Sequence, residues 1–315
     1  MISLWADYLD RPFLEGKFKE WVGERFVTGI TSNPAIFATA FKKGVYADEV
    51  ERLKGKEPKE IYEEIAVKEL QRACDILEPV YRESGGRDGF ASIEVDPTLI
   101  DDWKGTVEEG LRLWKRIDRP NLMIKIPANR AGYRAMETLS KEGVNINATL
   151  VFSPTQAVES HRAISAGSGK GVISIFVSRF DRKLNPLLKS KGLATDRVGF
   201  FNAIKIYNQL MELGSNQIRP LFASTGVKQE GLPKDYYLRN LYLPEAVLTL
   251  PVDVLEVAEG EELEEAFPFQ TKHIDAFFSF LTPAGINLSQ IYDQLFKEGA
   301  EAFQKSFAEM LKGLK

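Results

Sequence analysis

Short apolar runs rich in β-branched residues recur along the chain, each followed by a longer stretch in which apolar residues return every three or four positions. The runs are Ile2–Ala6, Phe26–Ile30, Phe90–Val95, Leu122–Ile126, Ile146–Phe152, Val172–Val177, Leu221–Ala223 and Val247–Leu250. They are continuously hydrophobic rather than alternating, which is the pattern of strands buried on both faces, as in a parallel sheet. Between them, Thr106–Ile117, Gly132–Lys141, Thr155–Ala166 and Phe200–Leu213 carry helical periodicity. Leu288, Ile291, Leu295, Phe303 and Met310 keep the same spacing and predict a long C-terminal helix.

Strand and helix alternate about eight times, which predicts an α/β protein made of one (β/α)8 (TIM) barrel domain over residues 1–315. The Val45–Glu83 stretch is too long for a simple crossover and predicts extra helices between strands 2 and 3. A doubly wound open sheet is the alternative, but no Gly-rich dinucleotide fingerprint follows the first strand.

The apolar runs close on polar residues: Asp7, Thr31-Ser32-Asn33, Glu94 and Asp96, Lys125, Asn147 and Thr149, Ser174 and Arg179, and Ser224. In a parallel barrel the C-terminal strand ends form the active-site face, so these positions make up one candidate constellation. Lys125 interrupts the apolar strand Leu122–Pro127. Burying an ammonium is costly, and an amine that sheds its proton becomes a nucleophile. The competing reading is an edge lysine whose stem snorkels to water. Asp7 and Glu94 suit general acid–base work beside such an amine, or could serve as helix caps or solvated loop acids. Arg179 and Lys228 place positive charge after strands 6 and 7, near where barrels hold phosphate. Asn33, Asn147, Thr149 and Ser174 could bind substrate hydroxyls or could cap helices and turns.

Gly167-Ser168-Gly169-Lys170-Gly171 imitates a phosphate loop, but no Ser or Thr follows the lysine and the segment precedes a strand, so it reads as a turn. His161 and His273 read as structural or exposed. Composition narrows the chemistry further. With two His and one Cys in 315 residues, a zinc enzyme with three His or Cys ligands is disfavoured and no metal site is expected. Cys74 alone cannot form an internal disulfide, which fits a reducing cytoplasm. Against 41 Lys and Arg stand 45 Asp and Glu, a net charge of −4 with no basic cluster, which argues against a nucleic-acid partner. The start MISLWADYLD lacks a signal-peptide pattern, and nothing in the sequence predicts a membrane span.

Six segments in order carry a family resemblance: Thr28–Phe37 (TGITSNPAIF), Gly89–Pro97 (GFASIEVDP), Met123–Ala128 (MIKIPA), Gly143–Ser153 (GVNINATLVFS), Ile173–Asp181 (ISIFVSRFD) and Ala223–Lys228 (ASTGVK). In them the chain resembles the transaldolases, Schiff-base transferases of the pentose phosphate pathway. The resemblance implies that Lys125 forms the imine and Asp7 removes the C4 hydroxyl proton. It also implies that Glu94, with Thr149 and a water, relays protons. Asn33, Asn147 and Ser174 would hold the three-carbon unit, and Arg179 the phosphate. The implied substrates are sugar phosphates and no cofactor is implied. One departure stands out. Many members carry a second phosphate arginine after the Ala-Ser of strand 7, where this chain has only Ser224 and then Lys228, which would take its place. The nearest relatives of different activity, the fructose-6-phosphate aldolases, are shorter and carry a tyrosine where this chain has Phe176. The sequence leaves monomer and homodimer both open.

Overall fold

The computed structural model describes residues 1–314. Eight strands close into a parallel barrel in sequence order: β1 (Ser3–Ala6), β2 (Gly29–Thr31), β3 (Ala91–Glu94), β4 (Leu122–Pro127), β5 (Ile146–Val151), β6 (Gly171–Phe176), β7 (Ile218–Ala223) and β8 (Val247–Leu250). β1 pairs with both β2 and β8, which closes the ring. Every strand residue is buried, as the unbroken apolar runs require of strands covered by helices on one side and by the barrel interior on the other.

Helices follow each strand, and several begin at residues chosen for the purpose. Asn33 caps Pro34–Lys42, accepting from the Ala35 and Ile36 amides, with Pro34 in the first helical position. Ser153 and Gln156 form a reciprocal capping box on Pro154–Ile164. Asn129 caps Arg130–Lys141, and Asn287 caps the terminal helix Leu288–Lys312. Of the Val45–Glu83 stretch, Ala47–Arg52 is an extra helix, whereas the 26-residue helix Pro58–Glu83 is itself the crossover that leads into β3. Strand β2 starts later than the apolar run suggests, because Arg25 turns the chain in a left-handed conformation (φ 62°) ahead of Phe26.

β7 starts earlier, at Ile218, and takes in Arg219 and Pro220, polar and turn-like residues that conceal it in the sequence. Arg219 is buried because backbone carbonyls at Glu245, Arg87, Met1 and Ala246 accept its hydrogen bonds, as does Ser3 Oγ. Ser3 and the Trp5 indole in turn donate to Asp88. This polar plug closes the N-terminal end of the barrel. Trp5 lies so close to β2 that a Cβ at Gly29 would fall 2.4 Å from its indole, so only glycine fits there. Among the described residues no helix is long and apolar enough to cross a membrane.

Candidate active site

The opposite, C-terminal end of the barrel is open. Asp7, Thr31, Asn33, Lys125, Ser174, Arg179 and Ser224 line one cleft there, with Phe176, Ala223, Thr249 and Phe303. Strand register sets Lys125 on β4 beside Glu94 on β3 and Asn147 on β5; Glu94, Asn147 and Thr149 are buried and are not among the residues that line the cleft. Lys125 is buried, so the edge-lysine reading is excluded; Nζ donates to the Ser32 carbonyl at 3.2 Å and lies 3.8 Å from Glu94 Oε2. That last distance is an ion-pair contact but too long for a hydrogen bond. Among the described residues, neither Glu94 carboxyl oxygen has a hydrogen-bond partner, and the buried Thr149 Oγ1 has none either. Burial drives the Glu94 carboxyl up to about 7, against the opposing pull of Lys125 and Arg179. A carboxyl held there can give or take a proton near neutral pH.

The other polar groups are tied to one another. Ser174 Oγ donates to Asn147 Oδ1 at 2.7 Å, and Asn147 Nδ2 donates to Ser92 Oγ at 3.1 Å. On the far side, Thr31 Oγ1 donates to Asp7 Oδ1 at 2.9 Å. The Thr249 hydroxyl lies 2.8 Å from that of Thr31 and is the donor between them, since the single Thr31 proton is already given. Asn33 has its amide oxygen fixed by capping, which leaves its NH2 for the cleft.

Two strand ends are bent at the cleft. Register shifts between Ala148 and Val151, and Leu150 adopts φ 56°. A bulge of this kind re-aims neighbouring side chains, here Thr149, and the left-handed leucine carries strain of about 1–3 kcal/mol. Gln156 holds it in place: its side chain donates to the Leu150 and Ala128 carbonyls and accepts from the Phe152 and Ser153 amides. Ser224 ends β7 at φ 55°, its hydroxyl 3.1 Å from that of Ser178.

Arg179 begins the helix Ser178–Ser190 and has no carboxylate within 4 Å among the described residues. Its guanidinium carbon lies 5.1 Å from the Phe176 ring centroid and 5.9 Å from that of Phe303. Burial lowers its pKa, with Arg182 adding to the effect. Lys228 is exposed on the loop after β7 and is not part of the cleft lining. Asp96, one of the polar residues at the strand ends, caps the turn Pro97–Leu99 and receives Lys59 at 2.6 Å. His161 lies in the helix Pro154–Ile164 and His273 is exposed on Thr271–Ser279; neither reaches the cleft. The glycine-rich 167–171 segment is a packed turn leading into β6. Phe303, Thr249 and Ser92 join the site without having been singled out by the sequence. Phe303 carried only a helical-spacing signal.

A buried amine and a buried acid on adjacent strands, at the open end of a parallel barrel, define the active site of a barrel enzyme. The family model described as Transaldolase/Fructose-6-phosphate aldolase matches residues 4–314. Among relatives, a Transaldolase of Helicobacter pylori (strain P12) is 39% identical, with 98% of each chain covered. A Transaldolase of Campylobacter jejuni subsp. doylei is 38% identical, with 99% of each covered. The chain belongs to the transaldolase/fructose-6-phosphate aldolase family, and is an enzyme of that family's transferase class.

Proposed function

We propose that this enzyme transfers a dihydroxyacetone unit from sedoheptulose 7-phosphate to glyceraldehyde 3-phosphate through an imine on Lys125. The products are erythrose 4-phosphate and fructose 6-phosphate, and the reaction is reversible. The observation that carries the reading is the buried Lys125 amine 3.8 Å from a Glu94 carboxyl that has no hydrogen-bond partner among the described residues. The amine adds to C2 of the ketose phosphate. Glu94 then protonates the departing hydroxyl, so that water leaves and the imine forms. Its pKa of about 7 supports this role, because the same group must later take a proton from the water that hydrolyses the imine. Thr149 Oγ1, also unpartnered, supports a path for that proton.

Asp7 takes the proton from the C4 hydroxyl. The C3–C4 electron pair moves into the iminium to give an enamine, and the aldose phosphate departs. Attack of the enamine on the acceptor aldehyde reverses each step, with Asp7 returning its proton to the new hydroxyl. Asn33, Asn147 and Ser174 hold the three-carbon unit between the two halves; the Ser174–Asn147 hydrogen bond fixes their orientation. Arg179, which has no carboxylate within 4 Å among the described residues, is available to pair with phosphate, while Ser224 adds a hydroxyl and the exposed Lys228 a flexible charge from the loop after β7. Phe176 presents a ring with no proton donor, which favours transfer over release of free dihydroxyacetone. Cys74, buried and unpaired, is consistent with a cytoplasmic setting.

Borohydride reduction in the presence of fructose 6-phosphate is expected to leave a three-carbon adduct on Lys125, located by peptide mass spectrometry. An adduct on another lysine, or none, refutes the mechanism. A coupled assay comparing transfer to glyceraldehyde 3-phosphate with release of dihydroxyacetone separates transferase from lyase.

A further inference from the structure

The terminal helix Leu288–Lys312 crosses the mouth of the barrel and is latched along its length. Tyr292 donates to Asn202 at 2.9 Å, Lys183 pairs with Glu298, and Gln304 donates to the Pro97 carbonyl at 3.1 Å. One residue of this helix defies helix propensity. Gly299 is buried mid-helix, where glycine is among the poorest helix formers and alanine the best. Space explains it: a Cβ at 299 would lie 3.0 Å from Arg179 Nη1 and 2.8 Å from Leu150 Cδ2. The end of Leu150 and the guanidinium of Arg179 therefore share the volume that the missing side chain leaves, and the guanidinium lies within 6 Å of the ring centroids of both Phe176 and Phe303.

We infer that Gly299 is a positioning residue for substrate phosphate. By leaving room for Arg179 against the terminal helix, it sets where the guanidinium presents its donors, and so how strongly phosphorylated substrates are preferred over unphosphorylated ones. The inference rests on Arg179 as the phosphate ligand proposed above. An alanine at 299 meets only the side-chain ends of Leu150 and Arg179 and none of Lys125, Asp7 and Glu94; the Leu150 backbone that aims Thr149 stays held by Gln156. It displaces the arginine by a few tenths of an ångström or more, enough to misalign a charge-assisted hydrogen bond.

The test compares wild type, Gly299→Ala, Arg179→Lys and the double variant, with fructose 6-phosphate and with unphosphorylated fructose as donors. Gly299→Ala is expected to lower kcat/KM about tenfold for fructose 6-phosphate, mainly through KM, and to leave that for fructose unchanged. In the Arg179→Lys background, the same alanine is expected to lower it no further. Equal losses on both donors, no loss on either, or losses that add fully in the double variant overturn the inference. Calorimetric titration with inorganic phosphate keeps the two proposals apart. If wild type fails to turn over fructose 6-phosphate, the functional reading falls. Weaker phosphate binding by Gly299→Ala still supports the role of residue 299, and undiminished binding refutes it.

Discussion

Replacing Glu94 by glutamine removes one titrating group from the centre of the site while keeping its shape. In the folded enzyme burial holds this carboxyl at about 7, whereas in the unfolded chain it returns to the usual 4.5. Below 4.5 both states carry the proton, and the full stability is present. Between 4.5 and 7 the unfolded chain ionises while the folded protein stays protonated, so folding loses ground as pH rises. Each pH unit of that window is worth about 1.4 kcal/mol, which makes the whole on the order of 3 kcal/mol. Glutamine does not titrate. The unfolding free energy of wild type minus that of Glu94→Gln is therefore expected to fall by about 3 kcal/mol from pH 4.5 to 7 and to flatten above it. Urea unfolding of both proteins at half-unit pH steps measures this directly. A difference that stays constant, or one that grows with pH, would mean that Glu94 is not held protonated by burial, and the account of its dual acid–base role would fail with it. The same variant is expected to lose the inflection near pH 7 in the kcat profile.

Asp7→Ala is expected to cut kcat by roughly 10²–10⁴-fold, as removal of a general base does. The borohydride adduct on Lys125 should persist, and the unfolding midpoint should stay close to wild type; undiminished turnover would take Asp7 out of the cleavage step. Gln156→Ala removes four hydrogen bonds, one to Leu150 in the bulge and three to Ala128, Phe152 and Ser153 around it, and is expected to cost about 1–3 kcal/mol in denaturant unfolding. It should also lower kcat more than it raises KM, because Thr149 loses its aim; an unchanged midpoint would show that the bulge needs no latch.

Much of this architecture was legible because parallel barrels write it into local composition. Lys125 is conspicuous as the one cation within the run Leu122–Pro127, and its neighbours across the sheet follow once the strands are placed in order. The terminal helix was visible from spacing alone. What spacing cannot say is where such a helix lies, and Phe303 and Gly299 matter only because it crosses the mouth. β7 was read short because Arg219 is buried by backbone carbonyls distant in sequence, which no local pattern reveals. Asn33 fits both readings that its residue type allows: its amide oxygen caps the helix Pro34–Lys42 and the residue also lines the cleft, a double use that no local pattern separates. Lys228 is exposed on the loop after β7 and is not among the lining residues of the cleft, a placement that depends on the course of its loop and not on residue type.

The hydroxyl pair on the Asp7 side of the cleft joins residues 218 positions apart, Thr31 and Thr249. Bringing two such points together in an otherwise unfolded chain costs about 5 kcal/mol of loop entropy, from (3/2)RT ln n. That cost is met only as the intervening strands zip up in order and β8 docks against β1. During refolding, helices and sheet can form well before this seam closes, and contacts of such long sequence separation are slow to arrive. An incomplete ring would possess its lysine and much of its native circular dichroism yet lack a properly held base. Regain of turnover therefore reports closure of the final seam, not the appearance of secondary structure.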